Sequence, residues 1–137
     1  MNKLLKIGEV AETSGLPIKT IRYYDEIGLL SPTVERSESG YRLFHTETLN
    51  RLAFIRRSQA LGLNLKEIQQ ILSVHDQGEL PCGEVKQHLE AKVVEISRQI
   101  EALNLLKAEL LGILSGWQDQ PEIERIHHTI CPNIQKS

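Results

Sequence analysis

The sequence predicts a mainly α fold, a small helical head followed by one long helix, and three observations carry that prediction. Two short amphipathic segments flank Gly15, two strand-like segments surround Ser39-Gly40, and an apolar stripe runs from Val85 to Leu114 at steps of three or four. At 137 residues the chain has room for one small domain and an extended element, but not for two globular domains with separate cores.

Ile7, Val10 and Ala11 have the spacing of one apolar face on a short helix from Ile7 to Ser14. Gly15 breaks it. Pro17, whose fixed φ suits a first turn, opens a second helix in which Ile18, Ile21, Tyr24 or Asp25, and Ile27 recur until Gly28. Two short helices joined by a tight Ser14-Gly15-Leu16 turn make a helix-turn-helix. Leu29-Leu30-Ser31-Pro32, the polar stretch Thr33 to Gly40 and Tyr41-Arg42-Leu43-Phe44 then read as two short strands about the Ser39-Gly40 turn. A hairpin in that position is a wing. A third helix is expected from about Thr46 to Ala60, with Leu49, Leu52, Ala53 and Ile55 facing inward, and Gly62 ends it. Asn64 followed by Glu67 resembles a capping box opening a fourth helix over Leu65 to Leu72.

A break around Gly78 to Gly83, containing Pro81 and Cys82, precedes the long helical pattern. Val85, Leu89, Val93, Ile96, Ile100, Leu103, Leu106, Leu110 and Leu114 form a stripe over roughly eight turns. The small head offers no surface long enough to cover it. The stripe therefore predicts a coiled-coil pairing with the same helix of a second copy, the alternative being a helix folded back on the head. Gly112, Gly116 and Pro121 end the helix and leave a tail from Trp117. The expected partition is residues 1–75, a hinge at 76–83, the long helix at 84–116 and a terminal segment at 117–137.

Composition bounds the function. Hydrophobic residues at 40% and charged residues at 25% are ordinary for a soluble protein, and 4% aromatic residues argue against a large aromatic-lined pocket. Met1 to Lys6 is too short and too charged for a signal peptide, and no apolar run approaches the ~20 residues of a membrane span. A cytoplasmic protein with no membrane partner is expected. Net charge is −2, but residues 1–72 hold ten Lys or Arg against eight Asp or Glu, whereas residues 73–137 hold six against ten. Basic charge thus sits with the helix-turn-helix. There is no nucleophile elbow, phosphate-cradling glycine loop or H-E-x-x-H, and Glu122 and Glu124 fall in the tail, so no enzyme is expected.

On the second helix, Lys19, Arg22 and Tyr23 can enter a DNA major groove or reach phosphate, and the Arg22 fork suits a guanine edge. Tyr41 and Arg42 close the wing and are expected on the DNA backbone. Arg56 and Arg57 of the third helix are candidates for phosphate contacts, with ordinary surface charge as the alternative. Tyr24 lies on the apolar side and is expected to pack.

The runs Ile7-Gly8-Glu9-Val10-Ala11, Thr20-Ile21-Arg22-Tyr23-Tyr24-Asp25, Gly28-Leu29-Leu30 and Gly40-Tyr41-Arg42 resemble the MerR family of bacterial transcription regulators over nearly the whole chain. The resemblance implies a nucleoid-associated homodimer that binds an inverted repeat in a promoter. On sensing its signal, such a dimer distorts the DNA so that RNA polymerase can use it.

Two cysteines, Cys82 and Cys131, lie on either side of the long helix, with no C-x-x-C and no export signal to suggest a zinc finger or a disulfide framework. If two such helices run antiparallel, Cys82 of one copy meets Cys131 of the other. Cys82-Gly83-Glu84-Val85-Lys86 and Cys131-Pro132-Asn133-Ile134 resemble the metal-sensing branch of the family, in which a cysteine at the head of the dimerisation helix completes a site in the partner's C-terminal loop. A cysteine at 82, where sensors of monovalent copper-type ions carry serine, implies a thiophilic divalent ion. The chain departs from that branch at Ser115-Gly116-Trp117, where another cysteine is usual. Two thiolates satisfy linear mercury, whereas zinc takes about four sulfur or imidazole ligands. His127 or His128 would supply nitrogen, with a solvated tail as the alternative. Zinc is the first expectation, with cadmium, lead and mercury behind it. His75 and His88, flanking Cys82, are weaker candidates, and His45 is taken as unrelated. Two other functions are open at this point: a thiol redox or electrophile sensor using the same cysteines, and an architectural DNA binder similar to phage excisionases.

Overall fold

The computed structural model describes residues 3–135; residues 1–2 and 136–137, the extremes of the first and last expected segments, lie outside them. The order is β1 (Leu4–Lys6), α1 (Ile7–Ser14), α2 (Ile18–Glu26), a 3-10 turn (Ser31–Thr33), β2 (Val34–Arg36), β3 (Arg42–His45), α3 (Glu47–Ala60), α4 (Leu65–Asp76), α5 (Cys82–Ser115) and α6 (Ile123–His128). The chain packs as two compact units, residues 1–92 and 93–137, and α5 contributes to both.

In the first unit, α1 stops where Gly15 turns left-handed at φ 74°, its N–H donating to the Ala11 carbonyl at 2.9 Å. Val10, Ile21, Leu29, Leu30, Phe44, Leu52, Ile55, Ile68 and Ile71 are fully buried together, so α1, α2, α3 and α4 surround one core. Tyr24 joins it, and its hydroxyl donates to Gln59 Oε1 at 2.8 Å. The capping box at α4 is present in both directions: Asn64 N–H donates to Glu67 Oε1 at 2.9 Å, and Glu67 N–H to Asn64 Oδ1 at 2.8 Å.

The winged helix-turn-helix and the long helix are as expected, but five details differ. The wing belongs to a three-stranded antiparallel sheet of order β1-β3-β2, in which Leu5 and Val34 both face Phe44. Strand β1 was not expected. Leu29 to Pro32 is not strand either: both leucines are in the core, and the chain turns at Ser31–Thr33 before β2 begins. Helix α4 runs one turn beyond Leu72, to Asp76, and α5 starts at Cys82 itself. Ala53 is exposed, whereas Leu52 and Ile55 carry the inward face of α3.

Helix α5 has 34 residues, about 50 Å at the usual rise. Its stripe divides in use. Val85 packs against the core of the first unit, whereas Val93, Ile96, Ile100, Leu103, Leu106, Leu110 and Leu114 are all exposed, Leu103 to 64%. Among the described residues no helix is long and apolar enough to cross a membrane. In the second unit the chain after α5 is closed by a pair of side chain–backbone bonds. Gln118 N–H donates to Asn133 Oδ1 at 2.8 Å, and Asn133 Nδ2 to the Gln118 carbonyl at 2.9 Å. Pro132 is buried where Gly112 and Gly116 leave a cleft of about 180 Å³.

Candidate functional site

Helix α2 turns Ile21 and Tyr24 into the core, which leaves Lys19, Arg22 and Tyr23 exposed on one face at helical spacing. Arg22 opens onto a groove of about 940 Å³ between the first two helices and the wing, where Arg36, Tyr41 and Arg42 also line the wall. Tyr41 is 70% exposed at the wing's turn. That turn holds its shape through Gly40 at φ 88° and through Tyr41 N–H donating to Ser37 Oγ at 3.0 Å.

Arg42, expected on the DNA backbone, also has partners within the chain. Its Nε donates to Asp25 Oδ2 at 2.6 Å, and Glu26 lies at 3.8 Å, so the guanidinium is half-buried against the acidic end of α2. It ties the wing to α2 and sets the width of the groove, and is not presented as a bare cation. Arg36 was missed by the sequence reading. It stands opposite Arg42 in the β2–β3 register, is exposed, and donates to the Gly40 carbonyl at 2.8 Å. A lone arginine inside a polar stretch gave no signal until the register placed it beside Tyr41.

Arg56 is exposed, but its Nη1 donates to the Ser14 carbonyl at 2.9 Å, so it steadies the turn of the helix-turn-helix from α3. Arg57 is exposed in the last turn of α3.

Both cysteines are free thiols. Cys82 is exposed as the first residue of α5, and Cys131 is half-buried in a turn. That turn is held by Gln135, whose Oε1 accepts from Ile130 N–H at 2.7 Å and Cys131 N–H at 3.0 Å. His127 and His128 are exposed at the end of α6. Thr129 then takes an extended conformation, φ −136° and ψ 162°, so helical spacing does not carry from the histidines to Cys131. Among the described residues no three His, Cys, Asp or Glu side chains of the single chain converge in a way that would hold a metal ion. His88 is engaged elsewhere, 3.3 Å from Glu67 Oε2 and 3.1 Å from Glu84 Oε1, and His45 pairs with Glu35 at 3.2 Å.

Asp76 was also unforeseen as a partner. It receives a bidentate bond from the buried Arg51, at 2.7 and 2.9 Å. Those hydrogen bonds, followed by the charge of Arg51, hold its carboxyl below the usual carboxylate value against the opposing effect of burial.

A helix-turn-helix with its outward face basic, a wing braced against it and a long helix behind it define a DNA-binding regulator of the winged class. Residues 5–74 match the family described as MerR HTH family regulatory protein, and residues 49–113 match that described as MerR, DNA binding. The chain belongs to the MerR family. The mercuric resistance operon regulatory protein of Bacillus cereus is 38% identical over 130 residues, 95% of this chain and 94% of that one. The transcription regulator PbrR691 from Ralstonia metallidurans CH34, solved in complex with lead(II), superposes with a TM-score of 0.73 at 34% identity, covering 86% of this chain and 91% of its own. HiNmlR, a MerR family regulator lacking the sensor domain and solved bound to promoter DNA, superposes with a TM-score of 0.51 at 26% identity over 82% of this chain and 80% of its own.

Proposed function

We propose that the chain is a metal-responsive transcription regulator. Two copies pair through α5 as an antiparallel coiled coil and bind an inverted repeat in promoter DNA. A divalent thiophilic ion, zinc, cadmium, lead or mercury, is sensed by Cys82 of one copy together with Cys131 of the other, with His127 or His128 completing the set. The presence of an exposed thiol at the head of α5 and of a second free thiol in the closed loop after its end supports this reading. The relatives named for mercuric resistance and solved with lead(II) support the choice of a soft divalent ion.

The DNA-facing roles follow the exposed face. Arg22 reads a base edge, Lys19, Tyr23, Tyr41 and Arg36 meet phosphate or sugar, and Arg57 adds phosphate contact. Arg42 and Arg56 act by holding the wing and the turn in place. When bound, the ion would cross-link two segments of different copies, which gives the dimer two discrete states to present to RNA polymerase.

Titration of the purified dimer with each of the four ions against competing chelators tests the metal half. Stoichiometric, thiol-dependent binding that stimulates transcription from the bound promoter is expected. Activation by an oxidant or electrophile in metal-free buffer, with none by any ion, would instead support a redox sensor.

A further inference from the structure

Arg51 is 7% exposed, and its bonds join two distant stretches of the chain. Its Nε donates to the Leu29 carbonyl, while Nη1 and Nη2 hold the two oxygens of Asp76. Leu29 lies just past α2, capped by its own N–H donating to the Tyr24 carbonyl at 2.9 Å. Asp76 is the last residue of α4, and only residues 77–81 separate it from Cys82. One planar guanidinium therefore bolts the exit of the DNA-reading helix to the segment that leads into the thiol-bearing head of α5. Parallel to it, Thr48 Oγ1 donates to the Thr33 carbonyl at 3.2 Å and Thr33 Oγ1 to the Leu30 carbonyl at 2.9 Å, which fixes α3 to the same turn.

An ion pair between a buried guanidinium and a partly exposed carboxylate is a poor device for stability alone, since taking the arginine's charge out of water costs much of what the attraction returns. Its distinctive property is orientation: a bidentate fork holds one relative placement of its partners, and breaking it leaves a charge buried and unpaired. When the end of α4 shifts, Arg51 shifts with it and draws on Leu29. The structure leaves space for such a shift, a cavity of about 360 Å³ beside the pair, lined by Asn50, Phe54, Leu72, His75 and Pro81.

We infer that Arg51 is the positioning residue through which the state of the Cys82 end of α5 reaches the DNA-reading helix. This rests on the proposed metal response, because it needs an effector acting at Cys82. The test measures ion affinity, for zinc, cadmium, lead and mercury in turn, with the dimer free and with it bound to a duplex selected from random-sequence DNA. The ratio of the two affinities is the coupling. Two variants are compared with the parent: Arg51→Lys, which keeps the charge and loses the fork, and the double variant Arg51→Met with Asp76→Leu, which removes the pair without burying an unpaired charge.

The parent ratio is expected to depart from unity by about 5- to 150-fold, the usual span of allosteric coupling, and both variants should bring it close to one while ion affinity of the free dimer is unchanged. A purely structural role would lower thermal stability and DNA affinity with and without ion alike, and leave the ratio intact. Folded variants of either kind that keep the parent ratio overturn the inference. A parent whose own ratio is one overturns this inference before any substitution is made, whereas a dimer that binds none of the four ions through its thiols overturns the proposed metal response itself.

Discussion

Arg22 stands on the exposed face of α2 and opens into the groove, clear of the core beneath it. Arg22→Ala should weaken specific operator binding by ~1–3 kcal/mol, the worth of one good bidentate contact, and leave dimer formation untouched. Binding isotherms at matched salt, with sedimentation of the same samples, check both parts. Arg42 acts through Asp25, so Arg42→Ala and Asp25→Ala should weaken DNA binding to similar extents, and the double variant should lose little more than either single one. Additive losses would mean that Arg42 reaches the DNA independently. Asp76 makes a prediction in acid. Its carboxyl is held low, so the folded state favours the ionised form; the stabilisation is complete above the ordinary value of 3.8 and is lost as pH falls through the lowered one. Glu67, lowered mainly by the Asn64 N–H, titrates in the same direction. Both groups should therefore take some stability from the parent below about pH 4, and Asp76→Asn should be less stable at neutral pH in thermal melts with a slightly shallower fall in acid. Equal pH slopes for the two would show that the Arg51 pair does not drive the acid transition.

At the scale of elements, what the sequence revealed was whatever a local period or a local cap encodes. Helices α1 and α2 follow from apolar spacing closed by Gly15 and Gly28, and the α4 box follows from Asn64 and Glu67 three residues apart. Strand β1 has three residues, too few to show alternation, and it exists because Leu5 pairs with Phe44 some forty positions away. Leu29 and Leu30 looked like strand because short apolar runs carry no period; tertiary burial and the following 3-10 turn decided otherwise. The last turn of α4 is polar outside Val74, so its end was invisible without Arg51. The α5 stripe was legible in full, but the role of its first turns was not: Val85 belongs to the head's core. The apolar residues from Val93 onward are exposed, and the proposed dimer seam is built on them. Ile100→Glu or Leu103→Glu should therefore convert the dimer to monomer, since burying an unpaired charge in the seam costs several kcal/mol. A variant that still sediments as a dimer would place the contact elsewhere.

Across the whole molecule, the two thiols are the least local feature of the sequence and the most informative. Nothing in the spacing of Cys82 and Cys131 marks a site; the proposed one rests on their places at the head of one helix and in the loop beyond its end. The histidines were harder to place. His127 and His128 looked adjacent to Cys131 by helical counting, and the extended Thr129 breaks that count, so any ligation by them depends on how the closed loop meets the other copy. The shared site is tested most directly by mixing Cys82→Ser and Cys131→Ser dimers, letting protomers exchange, and measuring high-affinity metal binding. Each parent mixture component should bind none, because a thiolate lost from a two-thiol site removes its strongest donor. A mixed dimer has one site with both cysteines replaced and one with both intact, so about one site per mixed dimer should return. If both cysteines of a site come from a single chain, every site in the mixture stays damaged, no binding returns, and the shared metal site is refuted.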